Sequence, residues 1–166
     1  MASPETLLLL AGFTFAHAVW NLSDLQNGEL LVPLAITEKQ GKRELTRFEA
    51  DTQAEAISKG KAELARIEGK VDAWAFAREG QFKENGKYFD VLTVEAKATG
   101  MKEPIVFVQR FQPYSSGAFK LLGQPMVLVG SNMVEGPEEK KLLAQLTSGI
   151  QKHKQAASLW SAWVQK

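Results

Sequence analysis

The sequence predicts an α+β fold, with a mostly antiparallel sheet of about five to seven strands, an N-terminal apolar helix, a middle surface helix and a long C-terminal helix. Residues 7–20 are almost wholly apolar, and residues 143–164 carry an apolar stripe at helical spacing. Between them, short runs of β-favouring residues alternate with glycine-bearing turns. A chain of 166 residues fits one domain, so we predict a single α+β domain over residues 1–166.

The apolar residues 7–20 are predicted to form a buried helix that starts near Ser3. Ser3 is a favourable N-cap, Pro4 suits the first helical position, and Glu5 complements the positive end of the helix dipole. A membrane-spanning helix needs about 20 apolar residues, which this run does not supply. A cleaved signal peptide is the alternative, since residues 16–18 match a small-x-small cleavage pattern, but no basic residue precedes the run.

The next segment is predicted to form a strand, a hairpin loop and a returning strand. Residues 30–37 read as the first strand, and Pro33 within them favours an edge position or a bulge, because proline cannot donate to a ladder. Residues 43–50 return after a loop that contains a glycine. Leu45 and Phe48 differ in parity, so they share a face only if the strand bulges or ends between them.

A surface helix is predicted over residues 52–68. Thr52 and Glu55 form a capping box, and Gly69 ends the helix. The rest of the segment is charged, so one narrow apolar face is expected to pack on the sheet. That face is predicted to comprise Ala54, Ile57, Leu64 and Ala65, with Lys61 along it.

Residues 71–78 alternate between small and large side chains, which is typical of a strand with two different faces. The alanine face suits close packing by a helix, and the face with Trp74 and Phe76 needs its own cover. Residues 88–96 and 105–111 are apolar at both parities, so we predict central strands covered on both faces. Two shorter strands, 119–122 and 126–129, are predicted about Gly123-Gln124-Pro125.

The C-terminal segment is predicted to form one helix over residues 137–164, bent near Gly149 or Ser158. Its apolar stripe packs on the sheet or the first helix, or pairs with a second copy of the chain, because exposed tryptophans at a chain end favour self-association. We therefore predict a homodimer through this helix. The stripe comprises Leu143, Leu146, Ile150, His153, Ala157, Trp160 and Val164.

Composition and charge narrow the possible functions. The chain has no cysteine, which excludes disulfides, thiolate nucleophiles and cysteine-zinc sites, and it has two histidines, so we expect no metal and no cofactor. We expect a cytoplasmic protein, with a secreted or periplasmic one as the alternative. Residues 1–38 hold four acids and no basic residue, whereas residues 140–166 hold five lysines and no acid. We expect these ends to lie side by side and to complement each other in charge; the alternative is a basic helix for an acidic partner.

Neither a phosphate site nor a nucleic-acid interface is expected. Residues 126–137 run from a strand through a glycine-bearing loop into a helix, an order that binds phosphates at helix N-termini. However, Glu135, Glu138 and Glu139 lie where the anion would dock, and Pro137 lacks a donor. Elsewhere, basic residues are interleaved with acids, which disfavours nucleic-acid binding.

The sequence contains no motif that is specific for a reaction, so we predict a non-catalytic binding or protein-interaction domain. Its ligand is expected to be small and apolar and to enter a cavity between the sheet and the terminal helices. Arg110, inside an apolar strand, either pairs with Asp90 or Glu95, holds an anionic ligand, or lies at the solvent end of its strand. The predicted aromatic lining is Trp20, Trp74, Phe76, Phe107 and Trp160.

A small cofactor-independent enzyme is the alternative function. Its general base would be His17 or His153, oriented by a carboxylate from Asp24 or Asp72. His17 shares a helix face with two aromatic residues, Phe13 and Trp20, which is also typical of a histidine in a core.

Overall fold

The computed structural model describes residues 3–25 and 29–164 and confirms the α+β class. The strands form one antiparallel sheet in the order β2-β1-β3-β4-β5-β6-β7. The helices are α1 (Pro4–Ser23), α2 (Gln53–Ile67), α3 (Pro137–Gln151) and α4 (Lys154–Trp163). The strands are β1 (Leu34–Lys39), β2 (Lys42–Arg47), β3 (Ala73–Glu84), β4 (Lys87–Ala98), β5 (Ile105–Gln112), β6 (Lys120–Val129) and β7 (Asn132–Met133).

The N-terminal helix is interior structure, as predicted. Its cap forms as expected, because the hydroxyl of Ser3 accepts the backbone N–H of Thr6 at 3.1 Å. Leu10, Phe15 and Val19 are fully buried in the main core. The helix is long and apolar enough to cross a membrane, with a mean hydropathy of 1.3, but 61% of that window is buried inside the protein. Core helices meet the same criterion, so this is weak support for a membrane span.

The two ends of the chain lie side by side because α1 and α3 approach each other through two glycines. A Cβ atom on Gly12 would lie 2.1 Å from the carbonyl oxygen of Leu146, and one on Gly149 would lie 2.5 Å from that of Leu9. The backbones therefore touch, which side chains at these positions would prevent. No salt bridge joins α1 to α3 or α4 within the described ranges, so packing rather than ion pairing holds the ends together.

The sheet has two different faces, as the alternation in β3 predicted. Ala73, Ala75 and Ala77 lie in the core with α1, where small side chains let the helix approach. Trp74 and Phe76 form a second, smaller cluster on the opposite face, which also includes Ala35, Phe48 and Leu64.

The position predicted for Pro33 is wrong, since β1 begins after it and pairs on both sides, with β2 and β3. Pro33 thus needs no edge or bulge, and its carbonyl accepts the N–H of Phe48 at 2.8 Å. Of the two explanations for the differing parity of Leu45 and Phe48, the strand end is correct, because β2 stops at Arg47. Leu45 is exposed, whereas Phe48 turns under α2.

The prediction that the central strands are covered on both faces is wrong for β4 and β5. On the face opposite α1, the cluster under α2 draws its sheet residues from β1 and β3. Val106, Val108, Leu122 and Leu128 on this face are half-buried, and no helix among the described residues packs over them. Apolar residues at both odd and even positions of a strand therefore do not prove that other elements pack on both of its faces.

The buried face of α2 also differs from the predicted one. Thr52 caps the helix by accepting the N–H of Glu55 at 3.1 Å, as expected. However, Ala54, Lys61 and Ala65 are exposed, and the buried residues are Ala56, Gly60 and Leu64. Gly60 is buried because the ring of Phe76 lies against it, so that a Cβ there would be 2.6 Å from the ring.

We predict that Gly12→Ala destabilises the protein by about 2 kcal/mol, because the added methyl group pushes α1 away from α3 and outweighs the gain in helix propensity. The free energy of unfolding in urea measures this loss. Gly80→Ala is the matched control, since a Cβ on Gly80 meets nothing within 4 Å. Equal stabilities of the two variants would contradict the close helix crossing.

Candidate functional site

The first feature of the candidate site is a bulge in β6. The sequence predicted two short strands about Gly123-Gln124-Pro125, but the structure has one strand whose register with β5 shifts between Val108 and Arg110. Residues 123–125 thus lie opposite Gln109 alone. Gly123 has a φ of 76°, which glycine adopts without strain, and Pro125 has no N–H to leave unpaired.

The side chain of Gln109 stabilises this bulge from inside the core. Its Nε2 donates to the carbonyl oxygens of Arg110 at 2.8 Å, Gly123 at 3.0 Å and Leu122 at 3.4 Å. Carbonyls only accept, so these contacts fix which end of the amide is nitrogen. The other end, Oε1, accepts no hydrogen bond from a described residue. No buried side-chain oxygen or nitrogen in the described part of the chain lacks a partner, so Oε1 reaches an opening to solvent.

Gln109 also lines an apolar pocket of about 420 Å³ between the bulge and the C-terminal helices, which we call the α3–α4 pocket. Gln109 supplies a polar group to its wall and is only 2% exposed. The remaining lining comes from α1, β6, α3 and α4: Phe15, Leu121, Gly123, Gln124, Pro125, Leu143, Leu146, Thr147, Ile150, Trp160 and Val164.

The C-terminal segment contains two helices rather than the single helix predicted, and the break lies at His153 rather than at Gly149 or Ser158. His153 has an extended backbone, with φ −89° and ψ 96°, and its Nδ1 accepts the backbone N–H of Ala156 at 3.1 Å. It therefore acts as the N-cap of α4. The break turns α4 back over the sheet, where Val164 forms a parallel bridge with Leu121.

The two histidines meet at this break. Nδ1 of His17 lies 3.1 Å from Nε2 of His153. Nδ1 of His153 must be unprotonated to accept from Ala156, so a neutral His153 carries its proton on Nε2 and donates it to His17. Nδ1 of His17 is then also unprotonated, and its own proton lies on Nε2. The hydrogen-bond network thus fixes both tautomers.

Aromatic rings surround the histidine pair. The ring centroid of His153 lies 5.0 Å from that of Phe13 and 5.5 Å from that of Trp20. Arg43 on β2 stacks over Phe13 at 5.3 Å from its centroid. Burial lowers the pKa of His17, and the neighbouring His153 and Arg47 lower it further. Burial also lowers the pKa of His153, so the pair is neutral at pH 7.

Neither predicted carboxylate hydrogen-bonds to a histidine. Asp24 forms the C-cap of α1, and Asp72 accepts the N–H of Gln40 at 2.7 Å. The expectation of an acid-oriented histidine is therefore wrong for both residues. In the tautomers described above, each unprotonated nitrogen already accepts a hydrogen bond, which leaves none free to take a proton from a substrate.

The predicted ligand-binding residues lie in separate places. Trp160 lines the α3–α4 pocket, and Trp20 packs on His153. Phe107 is fully buried in the main core, whereas Trp74 and Phe76 belong to the cluster under α2. The structure thus brings one of the five aromatic residues to the pocket.

Arg110 pairs with Glu84 rather than with Asp90 or Glu95, and it stacks over Phe89 at 4.5 Å. Its side chain is 32% exposed, which agrees with a place at the solvent end of the strand. Glu95 instead pairs with Arg78 at 2.7 Å.

Sequence reasoning missed several buried polar residues, among them Gln109 and Glu79. Glu79 accepts the N–H of Leu31 at 3.0 Å, and burial raises the pKa of its carboxyl group. Each lies at a core-facing position of a strand. A polar residue among the otherwise apolar residues of the same strand face was the sequence signal that could have identified them. No group of three or more metal-binding side chains is found among the residues that the structure describes.

The tryptophans of α4 pack within the chain. Trp163 is 8% exposed and meets Phe119 edge-on, and Trp160 packs on Phe15. The exposed tryptophans that suggested a homodimer are therefore absent here, and the homodimer stays a prediction. Leu159 and Val164 are the large apolar side chains of this segment that remain exposed.

Comparison with known proteins finds no matching family model, curated protein or solved structure. The function is therefore inferred from the geometry of the site.

We predict that His153→Ala destabilises the protein more than His153→Asn, by about 1 kcal/mol. Both changes remove the imidazole, but asparagine keeps an oxygen that accepts the N–H of Ala156, so α4 retains its cap. Urea unfolding of the two variants measures the difference. Equal losses would show that the capping bond contributes nothing.

Stability is predicted to fall as the pH drops below about 6.5, the ordinary histidine pKa. Because both histidine pKa values are lowered in the fold, the unfolded chain binds protons first, and the slope is at most about 1.4 kcal/mol per pH unit for each histidine. The raised pKa of Glu79 acts in the opposite sense, since its contribution is lost as the pH rises.

Comparison with the double variant His17→Gln/His153→Asn isolates the histidine contribution in this experiment. Urea unfolding between about pH 7.5 and 5.5 is expected to show a steeper loss in the wild type than in the double variant. Parallel pH profiles of the two proteins would contradict the assignment of this loss of stability to the two histidines.

Proposed function

We propose that this chain is a non-catalytic binding domain whose α3–α4 pocket takes a small, mostly apolar ligand that carries one hydrogen-bond donor. The observation that supports this most is the amide of Gln109, which is nearly fully buried, lines the pocket and has an oxygen without a partner among the described residues. Oε1 is not sealed from solvent, so water meets it when no ligand is bound. A ligand that displaces this water must supply a donor of its own, because an acceptor left unpaired is costly.

The shape and lining of the pocket favour an apolar ligand. Its volume of about 420 Å³ lies within the range of small-molecule sites. Phe15, Leu146, Ile150 and Trp160 line the pocket from three helices, so a ligand with one or two rings or a short chain would meet mainly apolar side chains.

The amide of Gln109 in the pocket wall favours a hydrogen-bond donor on the ligand. Gln109 is held rigidly, because three backbone carbonyls fix its nitrogen. Its oxygen is therefore positioned before any ligand arrives, which reduces the entropy lost on binding. An alcohol, a phenol or an amide N–H would donate to this oxygen, whereas a carboxylate would place a second acceptor against it.

A binding role is also favoured over general-base catalysis by the histidine tautomers. His17 and His153 each use Nδ1 as an acceptor within the protein. His153 lies outside the lining of the α3–α4 pocket, as does His17.

We expect 2-naphthol to bind with a Kd of about 100 µM, an ordinary ligand efficiency for its size. Its analogue 2-methoxynaphthalene lacks the hydroxyl donor and is expected to bind about fivefold more weakly, since one hydrogen bond contributes about 1 kcal/mol. Isothermal titration calorimetry measures both. Equal affinities would remove Gln109 from the proposal, and an absence of saturable binding would remove the pocket.

A pair of substitutions on α3 locates the binding site. Thr147 is exposed at the pocket wall and its neighbour Ser148 is exposed outside it, and each hydroxyl donates to a carbonyl one turn earlier. Thr147→Phe is expected to weaken 2-naphthol binding at least tenfold by filling the mouth of the pocket, an effect of about 1.4 kcal/mol. Ser148→Phe should leave it within about twofold. If both variants bind alike, the ligand lies elsewhere.

A further inference from the structure

We propose that the His17–His153 pair makes the α3–α4 pocket sensitive to acid, because protonation of either imidazole releases α4 and opens one wall of the pocket. This inference rests on the proposed function of that pocket for its effect on a ligand. Its effect on α4 itself is independent of any ligand.

The start of α4 depends on the pair. α4 has ten residues, and isolated helices shorter than about 12 to 15 residues are marginal in water. Its cap is Nδ1 of His153, and the ring of His153 is in turn held by its bond to His17 on α1. One chain of hydrogen bonds thus runs from α1 to the first turn of α4.

The wall of the pocket depends on α4. Trp160 and Val164 line the pocket from α4 and its C-cap, while Leu143 and Ile150 line it from α3. α4 is also attached by Ala156, which is fully buried in the main core, by Trp160, which packs on Phe15, and by the buried Trp163. At its C-terminal end, Val164 bridges to β6 and the Nζ of Lys120 donates to the carbonyl oxygen of Ala162. In the first turn Lys154 and Gln155 are exposed and Ala156 is buried, so loss of the cap acts first on this turn.

Protonation breaks the chain at either histidine. A proton on Nδ1 of His17 would point at the N–H of His153, so two donors would face each other across 3.1 Å. A proton on Nδ1 of His153 would remove the acceptor for the N–H of Ala156. Neither charged form keeps both bonds, so each favours an arrangement in which α4 is undocked.

The charged groups around the histidine pair are mostly cations, so they do not stabilise a protonated imidazole. Arg47 on β2 acts on His17, and Arg43 on the same strand lies over Phe13 and is already paired with Glu38. Lys152 and Lys154 flank His153 in the chain. No carboxylate among the described residues hydrogen-bonds to either ring, so a proton there has no local counter-charge. Burial lowers the pKa of His17, and the neighbouring His153 and Arg47 lower it further.

Hydrogen exchange of the ligand-free protein tests the release of α4. At about pH 5.5, the amides of α4, after correction for intrinsic rates, are expected to exchange about tenfold faster than at about pH 7.5. α2 contains no histidine and is the internal reference, for which no such change is expected. An unchanged ratio of α4 to α2 exchange would overturn the proposal, whether or not a ligand binds.

Titration with 2-naphthol tests the consequence for the pocket. The wild type is expected to lose about tenfold in affinity between about pH 7.5 and 5.5, whereas His17→Gln/His153→Asn should stay within about twofold. Equal pH dependence in both proteins would overturn the coupling. If 2-naphthol binds neither protein at about pH 7.5 while α4 still opens in acid, the proposed function fails and the histidine switch stands.

Discussion

The hydrogen bond between His17 and His153 is the contact on which the position of α4 depends, and the crossing of α1 and α3 at Gly12 and Gly149 makes it possible. The crossing brings the backbones into contact, and beyond it His153, which follows α3, lies within hydrogen-bond distance of His17 on α1. α3 stops there because His153 leaves the helix to cap the next one. Two glycines, a histidine pair and one cap thus set the angle between α3 and α4.

The pocket follows from a second constraint, which is that a bulge frees backbone carbonyls inside the core. Leu122 and Gly123 would leave unsatisfied acceptors at the bulge, and the amide nitrogen of Gln109 donates to both. Gln109 also lines the pocket that α4 partly closes. The same buried polar residue that stabilises the bulge therefore contributes to the wall of a mostly apolar site.

The fold class, the start of α1, both ends of α2 and the two-faced pattern of β3 could be predicted because local patterns determine them. The bulge and the helix break could not, since both depend on partners distant in sequence: Gln109 for residues 123–125 and His17 for His153. For the same reason the aromatic lining of the pocket was predicted poorly. The local sequence around a tryptophan or phenylalanine is the same whether the ring packs under α2, in the main core or beside a pocket. Of the five candidates, only Trp160 reaches the pocket.

The most direct test of this account is the nitrogen-15 NMR spectrum of the two imidazoles at neutral pH. We expect both rings to be neutral, with the proton on Nε2 and an unprotonated Nδ1 in each. A coupling between Nε2 of His153 and Nδ1 of His17 through their hydrogen bond should accompany these shifts. A proton on Nδ1 of either ring, or the absence of that coupling, would contradict the junction that positions α4 and encloses the pocket.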